Sequence, residues 1–579
     1  MDDSGRLQFA GWDAENSWPA GYPYPPTPWL DGLIERGITY TNARNSPRCS
    51  PYRAEAMTGR YAHVTPGHLQ GTRIGEIPTV VHQGQGFPFM GLLDEHRPWP
   101  KVALESNSGY ATALFGKWHL YKYGPNGEGG GDNEVQNRRS AVDVGGFDLF
   151  EEALRTHGLE PGAPLFGYYG FRTYKMERLV PGFIGPVNEP SEAAGGRFMG
   201  TYFYDKITSW IDAQAVTNTP FVAQYWMNLP HGKLPAWDGT GDGPLGADAH
   251  PGTFSAEEMV PDAVNVYGAV NFAGSQYDED GVFWTNSPFP ASECIYGPEG
   301  RCNLLWRRAY AMIQAFDRTC QAIDTWLETT HPEVHANTLW MIGSDNGVSG
   351  QDIEPIRDDK ANALSGGVIG PVIPPTVESF TNGTETEMNR DGGTPYHYPQ
   401  QAKGKAFEEG VLNPFMVSGP PLPASVRGTK SPALISSVDM YPTILDMIAG
   451  PVPPGDLSGR RYWKDTLGPS DLANVDGKSF LATLFDPTAR VRDYTFVQAF
   501  SPAAATGSYE TKLQRGLVNR AGWKLIYQLD PDHTPPLNGF ELYNLNVDPR
   551  EQNDLYTSTD AQAVLHRSAL MARYDEITQ

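Results

Sequence analysis

Three apolar runs that each end in polar or charged residues limit what this chain can fold into: "ATALFGKWHL" (111–120), "PFVAQYWMNLPH" (220–231) and "NTLWMIGSDNG" (337–347). Each has the length and composition of a strand buried in a sheet. Amphipathic helical patterns fall among them. "TPWLDGLIERG" (Thr27 to Gly37) carries Thr27 as a cap, Pro28 at the first helical position, apolar Leu30, Leu33 and Ile34, and a glycine stop. "WRRAYAMIQAFDRTCQAIDTWLETT" (306–330) is a second, longer one. Helix followed by strand, repeated, predicts an open α/β sheet with ligands at the carboxyl ends of its strands. Those ends carry Lys117, His119, His231, Asp345 and Asn346.

A chain of 579 residues exceeds one simple core, since domains run to about 150 residues. "VDMYPTILDMIAG" is followed by a Pro/Gly-rich passage to about Gly468. We therefore expect a main domain over 1–468 and a smaller α+β unit over 476–579, with an antiparallel sheet that includes "YTFVQAF" and "GWKLIYQL". Glycine- and proline-rich segments at 121–192, 238–301 and 350–402 read as long loops, which commonly build sites.

Lys and Arg number 44 against 68 Asp and Glu, a net charge of −24. That excess argues against nucleic acid and anionic membranes as partners and mildly against long polyanionic polymers. An anionic substrate must meet a locally basic pocket. No run approaches the ~20 apolar residues of a membrane span.

Of four cysteines, Cys320 falls in a helical pattern and belongs to the core, while Cys294 and Cys302 flank the turn-rich "IYGPEGR" and are open to a disulfide. Cys49 fits neither description. It stands before "SPYRAEAMTGR", a helix expected to have Ser50 as cap, Pro51 at its start and Gly59 at its end. A helix N-terminus offers free N–H groups and partial positive charge to an anion.

"CSPYRAEAMTGR" resembles the signature of the type I, formylglycine-dependent sulfatases, Cys-x-Pro-x-Arg followed by a Thr-Gly-Arg helix end. "GYATALFGKWHL" resembles their second signature, about sixty residues on. "NLPHGKL", "NTLWMIGSDNG", "KGKAFEEGV" and "ELYNLNVDPREQNDL" follow in family order, so that the resemblance spans nearly the whole chain. It implies an alkaline-phosphatase-like α/β sandwich, with a large mixed sheet between helices and a C-terminal subdomain. In that family the motif cysteine is oxidised by a separate maturation enzyme to formylglycine. Its hydrate attacks sulfur with one hydroxyl and expels sulfate with the help of the other.

Residue by residue, the resemblance makes Cys49 the formylglycine precursor and Arg53 the brace of the diol and of the metal-side carboxylates. Lys117 would bridge diol and sulfate, and His119 would take the diol proton. His231 and Lys403 would bind sulfate and assist the leaving oxygen. Lys405 is a near alternative, but the spacing from Lys403 to Glu408 favours Lys403. Asp2, Asp3, Asp345 and Asn346 would hold a divalent cation, an oxygen-only set suited to Ca²⁺ before Mg²⁺. The pattern departs from the family at Glu409 and at Tyr121, where glycines are usual.

The paired aspartates of the family close a first central strand, and here only Met1 precedes them, so that strand is expected upstream of this sequence. The expected location is periplasmic or secreted. A phosphonate monoester or phosphodiester hydrolase of the same superfamily, and a non-catalytic carbohydrate-binding relative, are the alternatives. The substrate class implied is a sulfate monoester, on a carbohydrate or an aryl group.

Overall fold

The structure, a computed structural model, describes residues 1, 4, 9, 11–12, 27–62, 80–82, 85–87, 92, 96–118, 120, 141–142, 145–155, 171–180, 183–185, 199–227, 229, 301–347, 403–450, 462–501, 512–530, 537–549, 551 and 553–578. In chain order the first elements are α1 (Pro28–Arg36), β1 (Gly37–Arg44), α2 (Cys49–Thr58), β2 (Val80–His82), β3 (Gln85–Phe87), α3 (Trp99–Glu105) and β4 (Ala111–Gly116). β5 (Leu149–Arg155), β6 (Phe171–Val180), β7 (Phe183–Gly185), α4 (Met199–Thr217), β8 (Phe221–Trp226), α5 (Arg301–Thr330), α6 (Pro332–His335) and β9 (Trp340–Gly343) follow. Next come α7 (Glu408–Val411), β10 (Phe415–Ser418), β11 (Thr429–Ser436), α8 (Met440–Ala449) and α9 (Trp463–Ala473). The last are β12 (Tyr494–Ser501), β13 (Lys512–Asn519), β14 (Trp523–Asp530), β15 (Leu537–Asn544) and α10 (Ala561–Thr578).

Two mixed sheets lie in one layer. One has the order β11-β1-β10-β9 and the other β7-β6-β5-β4-β8. β1 runs parallel to β11 and antiparallel to β10, while β4 is parallel to both β5 and β8. Alternating residues of both sheets feed the same two cores. Phe115, Tyr225, Ile342 and Met416 pack on one side with α1, α4 and α5. Leu114, Trp226 and Met341 pack on the other with α2, α3 and α8. This is the helix–sheet–helix sandwich expected from the alternation.

The long run 121–192, read from sequence as loop, contains β5, β6 and β7 instead. β6 ("FRTYKMERLV") lacks the apolar run or clean alternation that marks a half-buried strand, and its pairing with β5 over Leu149 to Arg155 makes it a strand. Thr27, expected to cap α1, makes no capping bond; its hydroxyl donates to Asp31 Oδ1 at 3.3 Å. The first N–H groups of α1 go to Asp317 of α5, from Leu30 at 2.8 Å and Trp29 at 3.3 Å. A carboxylate from a neighbouring helix has taken over the cap.

The four strands β12-β13-β14-β15 form a separate antiparallel sheet. Leu517, Leu525 and Leu542 on it pack against Leu570 and Tyr574 of α10. Of the two cysteines left open to a disulfide, Cys294 lies outside the described residues, and Cys302 falls within α5. Cys320 is a buried free thiol.

Gly116 closes β4 with φ 94°, and a Cβ there would lie 2.2 Å from the carbonyl oxygen of Trp226. Only glycine allows β4 to turn this close to β8 before delivering Lys117. Gly116→Ala is expected to cost about 3 kcal/mol or more, from positive φ and backbone overlap together, read as a lower midpoint in urea unfolding.

Candidate active site

The site begins at α2. Its first helical residue is Cys49, not a residue beyond Ser50, because the Arg48 carbonyl already accepts the Tyr52 N–H at 3.1 Å. Arg48 is extended (φ −142°, ψ 146°), and the Gly404 N–H bonds the preceding Pro47 carbonyl at 2.6 Å. The expected Ser50 cap is thus replaced by a chain entry held from outside the helix. Asn45 adds to that hold, bonding the Ser344 carbonyl at 2.8 Å through its amide and the Val411 carbonyl at 2.9 Å through its backbone N–H. Cys49 is buried and forms no disulfide.

Arg53 lies one turn further, on the same helix face as Cys49. It is 2% exposed and reaches the ends of three strands. One terminal nitrogen donates to the Lys117 carbonyl after β4 at 2.7 Å, and the other pairs with Asp345 Oδ2 after β9 at 3.0 Å. The guanidinium lies over the Trp226 ring, 4.7 Å from its centroid, at the end of β8. Trp226 in turn stacks with Trp118 at 6.1 Å. The structure therefore brings Cys49, Arg53, Lys117 and Asp345 to one edge of the sheet layer.

Asn346 follows Asp345, fully buried, with its amide nitrogen on the Gly347 carbonyl at 2.8 Å. Asp2 and Asp3 lie outside the described residues. Their neighbours are tied to the same strand end: the Met1 amine bonds the Gly343 carbonyl at 2.9 Å, and the Ser4 N–H bonds Ser344 Oγ at 2.9 Å. Asp345 and Asn346 offer hard oxygen donors, which fit Ca²⁺ or Mg²⁺ and not zinc. Among the described residues alone, no group of three or more His, Cys, Asp or Glu is placed to hold a metal ion.

Lys403 opens the turn whose next residue, Gly404, bonds Pro47, two positions before Cys49. His119 and His231 lie outside the described residues.

Two sets of residues near the site escaped sequence reading. Glu55, on α2, is fully buried and accepts hydrogen bonds from the Ser437 hydroxyl, from Ser46 Oγ at 2.8 Å and from the Ala62 N–H at 3.1 Å. Burial outweighs those bonds and pushes its pKa up to about 7. Its only sequence signal was a charge on a helix with no polar face. The second set is a buried chain of charges. Arg44 grips both oxygens of Glu408 at 2.7 and 3.0 Å, Lys524 bonds Glu408 at 2.8 Å, and Lys524 pairs with Glu551 at 2.7 Å. The Glu408 N–H donates to Glu551 Oε2 at 2.7 Å. Burial alone would raise the Glu408 pKa, but Arg44 and Lys524 hold it well below the carboxylate range; Glu551 is pushed up by burial. Nothing in their spacing, over 364 residues from Arg44 to Glu408, announces the contact.

The sulfatase family model matches residues 12–450. The chain belongs to the sulfatase family. An ulvan-active sulfatase of Formosa agariphila is 25% identical over 223 residues, 37% of this chain and 33% of the relative, so the match spans a third of that relative's length. A solved structure in complex with its substrate D-glucosamine-2-N,6-O-disulfate has a TM-score of 0.54 at 16% identity, covering 99% of this chain and 95% of the other. The phosphonate monoester hydrolase of Agrobacterium radiobacter scores 0.52 at 15% identity, covering 100% and 94%. At these identities the structural likeness establishes the shared fold, an alkaline-phosphatase-like sandwich. Among the described residues no helix is long and apolar enough to cross a membrane.

Lys524→Met strands buried carboxylates and is expected to cost about 3–5 kcal/mol in guanidinium unfolding, with partial recovery in Lys524→Met/Glu551→Gln. A raised Glu55 pKa means that its contribution to stability is full below about pH 4.5 and lost as pH rises through about 7. Urea unfolding at pH 4.5 and 7.5 should show the native chain losing stability across that window relative to Glu55→Gln.

Proposed function

We propose that the chain hydrolyses a sulfate monoester by S–O cleavage, with formylglycine derived from Cys49 as nucleophile. The observation that carries this reading is Arg53, which connects the helix of Cys49 to Lys117 and Asp345 at the carboxyl ends of β4 and β9. Once formed, the hydrated aldehyde would supply one hydroxyl to attack sulfur and a second to expel sulfate.

The surrounding residues have separable tasks. The N-terminus of α2 and the Arg53 guanidinium favour negative charge beside position 49. Asp345 and Asn346, with Asp2 and Asp3, would hold the divalent cation, Ca²⁺ before Mg²⁺, which when bound polarises sulfate oxygens. Arg53 keeps the Asp345 carboxylate oriented for that task. Lys117 would bind a sulfate oxygen, His119 would accept the nucleophile's proton, and His231 and Lys403 would neutralise or protonate the leaving oxygen. We assign the leaving group to a sulfated carbohydrate. The support is the ulvan-active relative and the sulfated glucosamine in a structure of the same fold.

Mass spectrometry of the peptide across Cys49, produced in a host with a maturation enzyme, should show a loss of about 18 Da, and Cys49→Ala should fold without turning over an aryl sulfate. An unmodified thiol in a host that matures other sulfatases would overturn the assignment. Faster turnover of an aryl phosphonate monoester than of the aryl sulfate would move it to the phosphonate hydrolases.

A further inference from the structure

The end of α2 farthest from Cys49 opens onto a cavity. It measures about 770 Å³ and lies where residues 473–478 and 490–494 meet the last turns of α10. By helix rise this is roughly 15 Å from Cys49, too far for an ion here to be the one hydrolysed. In a chain of net charge −24 its wall is nevertheless basic, with five cationic side chains against Asp476, Asp493 and Glu576.

Most of those cations are already matched. Arg492 pairs with buried Asp439 and donates to the Tyr61 hydroxyl at 2.8 Å. Arg490 pairs with Asp493, and Arg573 with Glu576 at 2.7 Å. Two remain. Lys478 is exposed and its ammonium has no partner among the described residues. Arg60 is 7% exposed, lines the cavity, and its guanidinium makes no hydrogen bond or ion pair among the described residues. Burial draws its pKa below the ordinary arginine value despite the acids Asp471 and Asp476 in its surroundings. Asp476 accepts the Tyr61 N–H at 2.9 Å through one carboxylate oxygen.

A guanidinium carries five donors in a fixed fork, and one that is 7% exposed and without a protein acceptor among the described residues has lost part of its hydration. An oxyanion entering the cavity would meet that fork directly and offset the cost. We propose that this cavity is a second anion-binding site, taking a tetrahedral oxyanion of the sulfate or phosphate class, with Arg60 as its buried anchor and Lys478 at its mouth. The anion is either a free inorganic ion or a charged group carried on a larger ligand whose remainder lies over the open side.

Calorimetric titration of the full chain with inorganic sulfate tests this without reference to hydrolysis. Lys478→Glu should weaken one sulfate site about tenfold, the size expected for one charge-assisted contact, and Arg60→Gln should abolish it. Should Arg60→Gln fail to fold by thermal melting, Lys478→Glu decides alone, since its side chain is exposed. Titrations of the native chain and Lys478→Glu that superimpose would overturn the proposal. Kinetics separate the two sources. If the anion is borne on substrate, Lys478→Glu raises KM for a disulfated disaccharide and not for a small aryl sulfate. If it is a free ion, both KM values stay unchanged while the titration still shows the loss. An inactive chain that still shows the two-variant loss would sink the sulfatase reading and leave this site standing.

Discussion

The ion pair between Arg53 and Asp345, both 2% exposed, is the constraint on which the site depends. Withdrawing two charges from water is unfavourable unless each finds full compensation. Arg53 offsets much of that cost by touching the Lys117 carbonyl, the Asp345 carboxylate and the Trp226 ring at once. Those three groups lie at the ends of β4, β9 and β8, which belong to two different sheets. One side chain from α2 thereby fixes how the two sheet ends stand relative to the helix that presents Cys49. Removing either charge would leave the other stranded, so the geometry is held by the penalty for breaking it as much as by the attraction.

A second buried charge cluster secures the site from behind. Glu408 sits on the segment that starts at Lys403, and it is gripped from β1 by Arg44 and from β14 by Lys524. Glu551 closes the cluster on Lys524 and on the Glu408 backbone. Gln514 of β13 accepts the Ala406 N–H at 2.9 Å on the same segment. The antiparallel sheet thus acts as a buttress for the turn that carries Lys403. Side chains from three distant stretches of sequence are needed to make four charges tolerable inside the protein.

Much of this was legible beforehand. The runs around Lys117 and Asp345 announced strands through apolar composition, and the alternation with helices announced the layered sandwich. The sequence placed Cys49 at a helix N-terminus and Arg53 near the helix start, because a helical turn is local. What failed was also local in cause. Thr27 and Ser50 are good caps in isolation, yet Asp317 satisfies α1 and the held chain entry at Pro47 and Arg48 serves α2. β6 has neither an apolar run nor a clean alternation to announce itself, and it is a strand because β5 pairs with it.

By itself, the sequence determined the alternation of helices with strands, a helix beside Cys49, and the polar groups waiting at the ends of strands. Those follow from periodicity and backbone preference, which act over a few residues. Only the tertiary structure decided that Arg53 would meet Asp345, 292 positions away, that Arg44 and Lys524 would both meet Glu408, and that Arg60 would be buried beside a cavity. Such pairings are set by the cost of burying charge, and that cost exists only once the chain has closed around them.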